Sequence, residues 1–411
     1  MTLSTTPSPQ TFSVVIVGAG PAGATASLFL AEQGIKHAIV DSATFPRDKV
    51  DGNLFGDKVL KILEPLQGGR VRQRLMADPQ FFPCEGGLRG YGFHEESLRM
   101  FGPGQDPKQG ARIYTMARRY FDQVLVDCLD PNYATVQLGT KVTALRREAD
   151  GIVMTVEGPD GSQEWRSQYI LGADGDKSIV RRTLSPQPER PSEDCSNTLH
   201  AYYSGVTQEG DRPYAAGYLT AASGQWFGRC GRFVYVTPLA DGLHKVGLVG
   251  YVDDDGPTLE RVLEQALTTH PSLKKRFAQA TRVGEVGVWS TSHNRPALDN
   301  VVTDRVLLAG DAASLLLPFV AFGTGNAMLS GRLAAETLGQ AIAADRTDAE
   351  FLEQYAVALR RELQTGIKTG LVIKRLAGSP ALLNWILASN ALRRTFKALL
   401  GQASRLKLKE I

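Results

Sequence analysis

Phe12-Ser13-Val14-Val15-Ile16-Val17-Gly18-Ala19-Gly20-Pro21-Ala22-Gly23 is the stretch on which the reading of this chain turns. Val14 to Val17 form an unbroken apolar run, as a parallel strand buried on both faces requires. The run feeds directly into glycines spaced GxGxxG. The first, Gly18, permits a tight turn, and the second, Gly20, lets backbone approach a pyrophosphate. The third, Gly23, lets a helix pack close on the strand, with Pro21, Ala22 and the first-turn N–H groups toward the phosphates. A helix is predicted from Ala24 to about Gln33, stopped by Gly34. A second apolar strand from His37 ends in Asp41, about 20 residues past the glycines, where a carboxylate accepts the hydroxyls of an adenosine ribose. Glycine turns alone are common. This one lies between a strand and a helix and is followed by the acid, so it marks a dinucleotide site.

At 411 residues the chain can bury a large core and should hold two or three structural units. A net charge of +3 is far too mild to imply nucleic acid. Cys84, Cys128, Cys195 and Cys230 show neither metal nor redox spacing, so no metal site is predicted and a reducing, cytoplasmic setting is expected. Residues 1–11 are polar and predicted to be disordered, without the basic and apolar regions of a signal peptide. No window of about 18 residues is apolar enough to span a bilayer, so membrane contact would be peripheral.

Outward from the glycines, 45–53 is a polar loop, 57–66 a helix and 116–129 another helix. Residues 135–171 alternate as an antiparallel meander before Gly172-Ala173-Asp174-Gly175. Three prolines in 185–194 mark a boundary. Beyond it, 199–251 is strand-like and aromatic, and 259–278 is helical. The dinucleotide unit resumes at Arg305-Val306-Leu307-Leu308-Ala309-Gly310-Asp311-Ala312-Ala313, a buried strand ending in Gly-Asp. Phe322-Gly323-Thr324-Gly325-Asn326 then precedes a helix over 327–338. The dinucleotide domain is thus discontinuous: 12–77, 111–184 and 293–346. Residues 78–110 and 185–292 are assigned to a sheet-based substrate domain, and 347–411 to a helical tail.

Three motifs in order, GAGPAG with Asp41, LGADGDKSIVRR (171–182) and RVLLAGDAA…P…FGTGNAMLSGRLAAE (305–336), resemble the FAD-dependent oxidoreductases. That superfamily includes aromatic hydroxylases, flavin halogenases and geranylgeranyl reductases. The resemblance covers essentially the whole chain and implies an α/β fold: a Rossmann-like FAD-binding domain with an antiparallel meander, a sheet-based substrate domain and a helical tail. FPRDKVDGN (45–53), RRYFD (118–122) and FVYVTPLADGLHKVGL (233–248) are closest to the geranylgeranyl reductase branch. The tryptophan signature of halogenases is absent. Where those reductases usually carry cysteine-glycine in the first loop, this chain has Asp51-Gly52.

The resemblance implies that FAD is held by Gly18, Gly20, Pro21, Ala22, Gly23, Asp41, Arg47, Arg118, Asp174, Gly310, Asp311, Gly323, Thr324, Gly325 and Asn326. Asp311 would hydrogen-bond the ribityl chain, or else cap the next helix. Gly323 to Asn326 would bring N–H groups at a helix start to the flavin's pyrimidine edge, or form a plain glycine loop. Asp174 and Gly175 would line the cofactor groove or only close a strand, and Arg118 would reach the cofactor or remain a surface arginine. Arg47 and Lys49 either hold the cofactor or are solvated loop charges. Tyr202, Tyr203, Trp226, Phe227, Phe233, Tyr235 and Trp289 would wall an apolar pocket, although sheet aromatics are more often core. Asp51 is the catalytic candidate: a proton carrier beside the flavin, or a solvent-facing turn residue.

The implied activity is reduction of carbon–carbon double bonds in an isoprenoid or other lipid-like substrate. Its alternative is a monooxygenase acting on an aromatic or peptide-borne substrate. A small hydrophobic substrate is the expected partner. Electrons would come from transiently bound NAD(P)H or from an electron-donor protein, because no second GxGxxG unit is visible. The tail's basic residues, among them Arg361, Lys368, Arg393 and Arg394, alternate with apolar ones, as on an anionic membrane surface or on a helix docked to the body.

Overall fold

The computed structural model describes residues 10–49, 52–91, 96–100, 113–186, 195–219, 233–250, 259–292, 300–316 and 323–377, and positions 386, 389 and 395. Its centre is the unit read from the glycines: β1 (Gln10–Val17), α1 (Pro21–Glu32) and β2 (His37–Asp41). β1 pairs in parallel with β2 on one side and with the strand Gly161–Gly172 on the other. Val14, Val15 and Ile16 are fully buried between the covering layers, which is why the run is apolar without alternation. The strand begins earlier than composition predicts. Gln10 and Thr11, expected to be disordered, pair with Trp165 and Arg166.

The parallel sheet runs in the order Val306–Leu308, Gly161–Gly172, β1, β2 and Ala134–Leu138. The last of these strands corrects the predicted meander. It lies parallel to β2, and only Lys141–Arg147, Ile152–Gly158 and Gly161–Gly172 form the antiparallel meander. Gly139, with φ +67°, turns the chain between the two arrangements.

A second sheet of seven strands has the order Thr281–Ser292, Cys195–Ser204, His244–Gly250, Phe233–Pro238, Ala215–Leu219, Leu88–Tyr91 and Glu96–Met100. Leu199, Ala201, Val234, Val236, Val246 and Leu248 project from one face into a core closed by Val262, Leu263, Ala266, Leu267 and Leu273. Those covering residues lie on two helices, Leu259–Thr269 and Pro271–Arg276, rather than on the single helix expected. Pro271 opens the second helix and holds His270 extended at φ −70°, ψ 123°. A small sheet of Leu54–Gly56, Ile113–Thr115 and Phe82–Pro83 joins the two halves, where Thr115 Oγ1 donates to Pro238 O at 2.5 Å.

The helix Gly323–Ala343 starts four residues earlier than expected, so the glycine run forms its first turn. It packs on α1 so closely that a Cβ on Gly331 would stand 2.1 Å from Ala22 O. The helix Ala349–Ala377 buries Leu352, Tyr355, Leu359, Leu363 and Ile367, and Tyr355 donates to Leu308 O at 2.6 Å. This part of the tail is docked on the body, whereas Arg393 and Arg394 lie outside the described residues. Among the described residues no helix is long and apolar enough to cross a membrane.

Candidate functional site

The glycine turn is built from backbone meeting backbone. Gly18 sits at φ +103°, and a Cβ there would lie 2.3 Å from Ala173 O; a Cβ on Gly23 would lie 1.8 Å from Gly18 O. α1 therefore starts directly against the strand end. Gly20 is its N-cap, no side chain caps it, and Pro21 opens its first turn. The helix end accordingly offers uncapped N–H groups and the positive end of a dipole to an anion. Arg47 adds a guanidinium, with Nη2 3.2 Å from where a Cβ on Gly20 would stand. The space at Gly20 and the charge around it fit a pyrophosphate.

Asp41 is fixed at the end of β2. Its Oδ2 accepts the Ala19 N–H and its Oδ1 the Ala43 N–H, both at 2.8 Å, with oxygen lone pairs left for a ribose. Arg47 Nη2 lies 3.9 Å from Asp41 and 3.7 Å from Asp122. Asp122 in turn holds Arg118 by two bonds of 2.7 and 2.8 Å. The charges thus alternate along one connected chain. Asp122 was not among the expected site residues, although its i, i+4 spacing from Arg118 carries the signal. Gly52 sits between this chain and the far helix: a Cβ there would be 3.2 Å from Arg118 Nη1 and 2.7 Å from Thr324 Oγ1.

Gly310, at φ +61°, donates its N–H to Ser330 Oγ at 2.9 Å, which fixes the Gly-Asp turn against the long helix. Asp311 pairs with Lys49 Nζ at 3.3 Å, and Lys49 also lies 5.8 Å from the centre of the Trp289 ring. Asn326 turns inward, accepting from Lys58 Nζ at 2.8 Å and donating to Leu315 O at 3.1 Å. Gly323, Thr324, Gly325 and Asn326 are thus brought beside Gly52 and Lys58. Asp174 lies against Gly18 through its backbone, but Oδ2 of its side chain accepts the N–H groups of Ile179 and Val180 at 2.7 and 3.3 Å. Burial raises its pKa. Asp51 lies outside the described residues.

The seven-stranded sheet turns its other face to this loop. Strand alternation places His200, Tyr202, Phe233, Tyr235 and Lys245 on that face, and Trp289 beside Lys49. Tyr203, expected in the pocket wall, points the other way and meets Phe277 edge-on at 5.3 Å. Trp226 and Phe227 lie outside the described residues. Two glycines let rings lie flat on the sheet. A Cβ on Gly247 would stand 2.0 Å from Tyr235 Cζ, and one on Gly287 2.5 Å from His200 Cε1. Burial, with the Lys245 charge second, lowers the His200 pKa to about 4. The Lys245 side chain is fully buried. Nothing in local periodicity marks His200 or Lys245, because their facing depends on strand register.

Cys84 and Cys128 are buried free thiols; burial pushes Cys84 up to about 12, which leaves it protonated and unreactive. Among the described residues no cluster of three or more His, Cys, Asp or Glu could hold a metal.

Comparison with known proteins finds relatives in sequence and in fold. The chain is 28% identical over 372 residues to digeranylgeranylglycerophospholipid reductase 2 of Methanopyrus kandleri, covering 89% of this chain and 86% of that one. It is 27% identical to a menaquinone reductase of Mycobacterium tuberculosis, covering 79% and 76%. A geranylgeranyl bacteriochlorophyll reductase-like structure from Thermoplasma acidophilum superposes with a TM-score of 0.78 at 19% identity, over 95% of this chain and 96% of the other. The myxobacterial chondrochloren halogenase superposes at 0.75 and 18% identity, over 96% and 91%, so this fold hosts more than one chemistry. The model of the FAD binding domain family matches residues 11–364, and the chain belongs to that family of FAD-dependent oxidoreductases.

Proposed function

We propose that this protein reduces carbon–carbon double bonds of an isoprenoid or other lipid-like substrate. The observation that carries the reading is the pair of reductase relatives aligned over 89% and 79% of this chain. The aromatic sheet face with Tyr235 and Trp289 also suits an apolar chain. A monooxygenase is the second reading, carried by the halogenase and hydroxylase structures that share the fold.

Bound FAD supplies two-electron hydride chemistry. Gly18, Gly20, Ala22, Gly23 and Arg47 would hold its pyrophosphate, and Asp41 its ribose. Asp311 and the first turn Gly323–Asn326 would hold its ring end. The partly buried aromatics of that sheet face, Tyr202, Phe233, Tyr235 and Trp289, would shield the reacting carbon atoms from water once an apolar substrate covers them. Reduction of a double bond also needs a proton. Asp51 is the proposed carrier, since its neighbours in sequence reach into the site: Lys49 to Asp311 and Trp289, and Gly52 to Thr324 and Arg118. NAD(P)H or a reductase protein delivers the electrons.

Anaerobic turnover of a geranylgeranyl lipid with dithionite as donor tests the activity. Saturated product without oxygen supports the reading, and turnover only with oxygen supports the monooxygenase. Asp51→Asn removes the ionisable group at nearly constant shape. It should keep stoichiometric flavin and lose most turnover; wild-type turnover across the pH range would make Asp51 structural.

A further inference from the structure

Lys58 opens onto the start of the long helix from the neighbouring helix Asp57–Leu63. Its stem runs beside Gly325, with Cδ 3.4 Å from where a Cβ on that glycine would stand. Its Nζ donates to Asn326 Oδ1 at 2.8 Å, and Asn326 donates on to Leu315 O just past the Gly-Asp turn. This is an unfavourable place for a cation. The first turn of a helix is the positive end of its dipole, so an ammonium there meets like charge.

The other charges around Lys58 do not cancel that mismatch. Glu362, on the helix Ala349–Ala377, is the carboxylate whose field acts on it. Its neighbour Asp57 acts on Tyr114 together with Arg72, and Lys61 lies one turn along the same helix. On the helix Arg70–Ala77, Arg74 is paired with Asp127, and Arg70 donates to Gln67 O. On the long helix, Arg332 and Glu336 pair with each other, and Arg118 is held by Asp122. Burial outweighs Glu362 and brings Lys58 down from 10.5 to about 7. Among these groups, none supplies an anion in contact with Nζ. An arriving negative charge would.

We propose that Lys58 is the cation that balances the negative charge of the reduced flavin at the start of the helix Gly323–Ala343. This rests on the reading that places the flavin's pyrimidine edge at that helix start. Two electrons from the donor and one proton from solvent give the reduced flavin anion. One further proton from solvent adds to the Nζ lone pair of neutral Lys58. Ammonium and anion therefore form together, the Asn326 contact is kept, and no covalent bond in the protein breaks.

The test uses the full-length FAD-loaded protein, with dithionite as reductant and a reference dye for the midpoint potential. Lys58→Met removes the cation and Lys58→Arg makes it permanent. Lys58→Met should lower the potential by about 30–60 mV, a tenfold to hundredfold loss in the reduction equilibrium at 29.6 mV per tenfold. Lys58→Arg should match or exceed the wild-type potential. Proton uptake on reduction, followed by pH-stat at pH 8 and corrected for the protons that dithionite releases on oxidation to sulfite, should be about two per flavin in wild type. It should be about one in both variants, since neither can accept the second proton. Unchanged potential in Lys58→Met, or equal proton uptake in all three proteins, overturns the proposal. Asn326→Asp then separates the causes. If that added anion lowers the potential, the helix start does face the flavin and only the role of Lys58 falls. If it has no effect, the placement of the flavin falls as well.

Discussion

Two pairs of glycines serve opposite purposes in the two halves of this molecule. In the FAD-binding half, Gly23 and Gly331 let backbone approach backbone: a Cβ would meet Gly18 O at 1.8 Å in one case and Ala22 O at 2.1 Å in the other. In the seven-stranded sheet, Gly247 and Gly287 let a Tyr235 or His200 ring lie flat, and the atoms a Cβ would meet are at the ends of side chains. Main-chain carbonyls in a strand–helix junction cannot move aside without breaking that junction. Rings can rotate. The cofactor half should therefore be brittle and chemically uniform, and the sheet half open to variation without loss of fold.

Gly23→Val is the severest test of that contrast. It should cost more than about 3 kcal/mol and leave no bound flavin, as read by thermal unfolding and by absorbance of the purified protein. Asp122→Ala comes next, because it leaves Arg118 buried without its carboxylate. A loss of about 3 kcal/mol in denaturant unfolding is expected, while a change below 1 kcal/mol would mean the charge chain is solvated. Asp41→Ala should weaken FAD binding by about 2 kcal/mol, some thirtyfold in a titration of apoprotein, and cost the apoprotein about 1 kcal/mol, because the Ala19 and Ala43 N–H groups lose their acceptor.

The sheet half responds to acid. His200 and His244 are both lowered to about 4, in each case mainly by burial, so the folded protein resists protons that the unfolded chain binds from 6.5 downward. The two histidines then leave stability unchanged above 6.5 and lower it as pH falls toward 4, by about 2 kcal/mol for each. His200→Gln should remove its share of that slope in pH-dependent unfolding; an unchanged slope would show the ring to be hydrated. Gly247→Ala has the smallest expected effect on the fold, about 1 kcal/mol, with full flavin content and an altered KM. If it destabilises as much as Gly23→Val, the contrast between the two halves fails.

Much of the cofactor half was legible because its chemistry is local. A strand, a turn and a helix start occupy 12 consecutive residues, Phe12 to Gly23, and the acid follows at Asp41. The charge chain was only half legible. Arg47 and Arg118 were expected to act separately, and it is Asp122 that joins them. Strand pairing was misread where alternation is the same for both partners: Ala134–Leu138 alternates as a meander strand would, yet pairs with β2 in parallel. Period-2 pattern records burial on two faces and not which edge supplies the hydrogen bonds. Tyr203 shows the same limit, since its position one residue from Tyr202 puts it on the covered face.

The sequence by itself determined the strand–glycine turn–helix unit that ends in Asp41, the expectation of a dinucleotide cofactor there, and the resemblance of the remaining motifs to FAD-dependent oxidoreductases. Those properties need particular residue types at fixed short spacings, because backbone geometry at a strand–turn–helix junction admits few alternatives. Only the tertiary structure decided which sheet face looks toward Lys49, that His200 and Lys245 lie on it, and that Lys58 meets Asn326 across 268 residues of chain. Those placements follow from register and from helix-on-helix packing, where each position is fixed by partners far away in sequence and no local pattern records the choice.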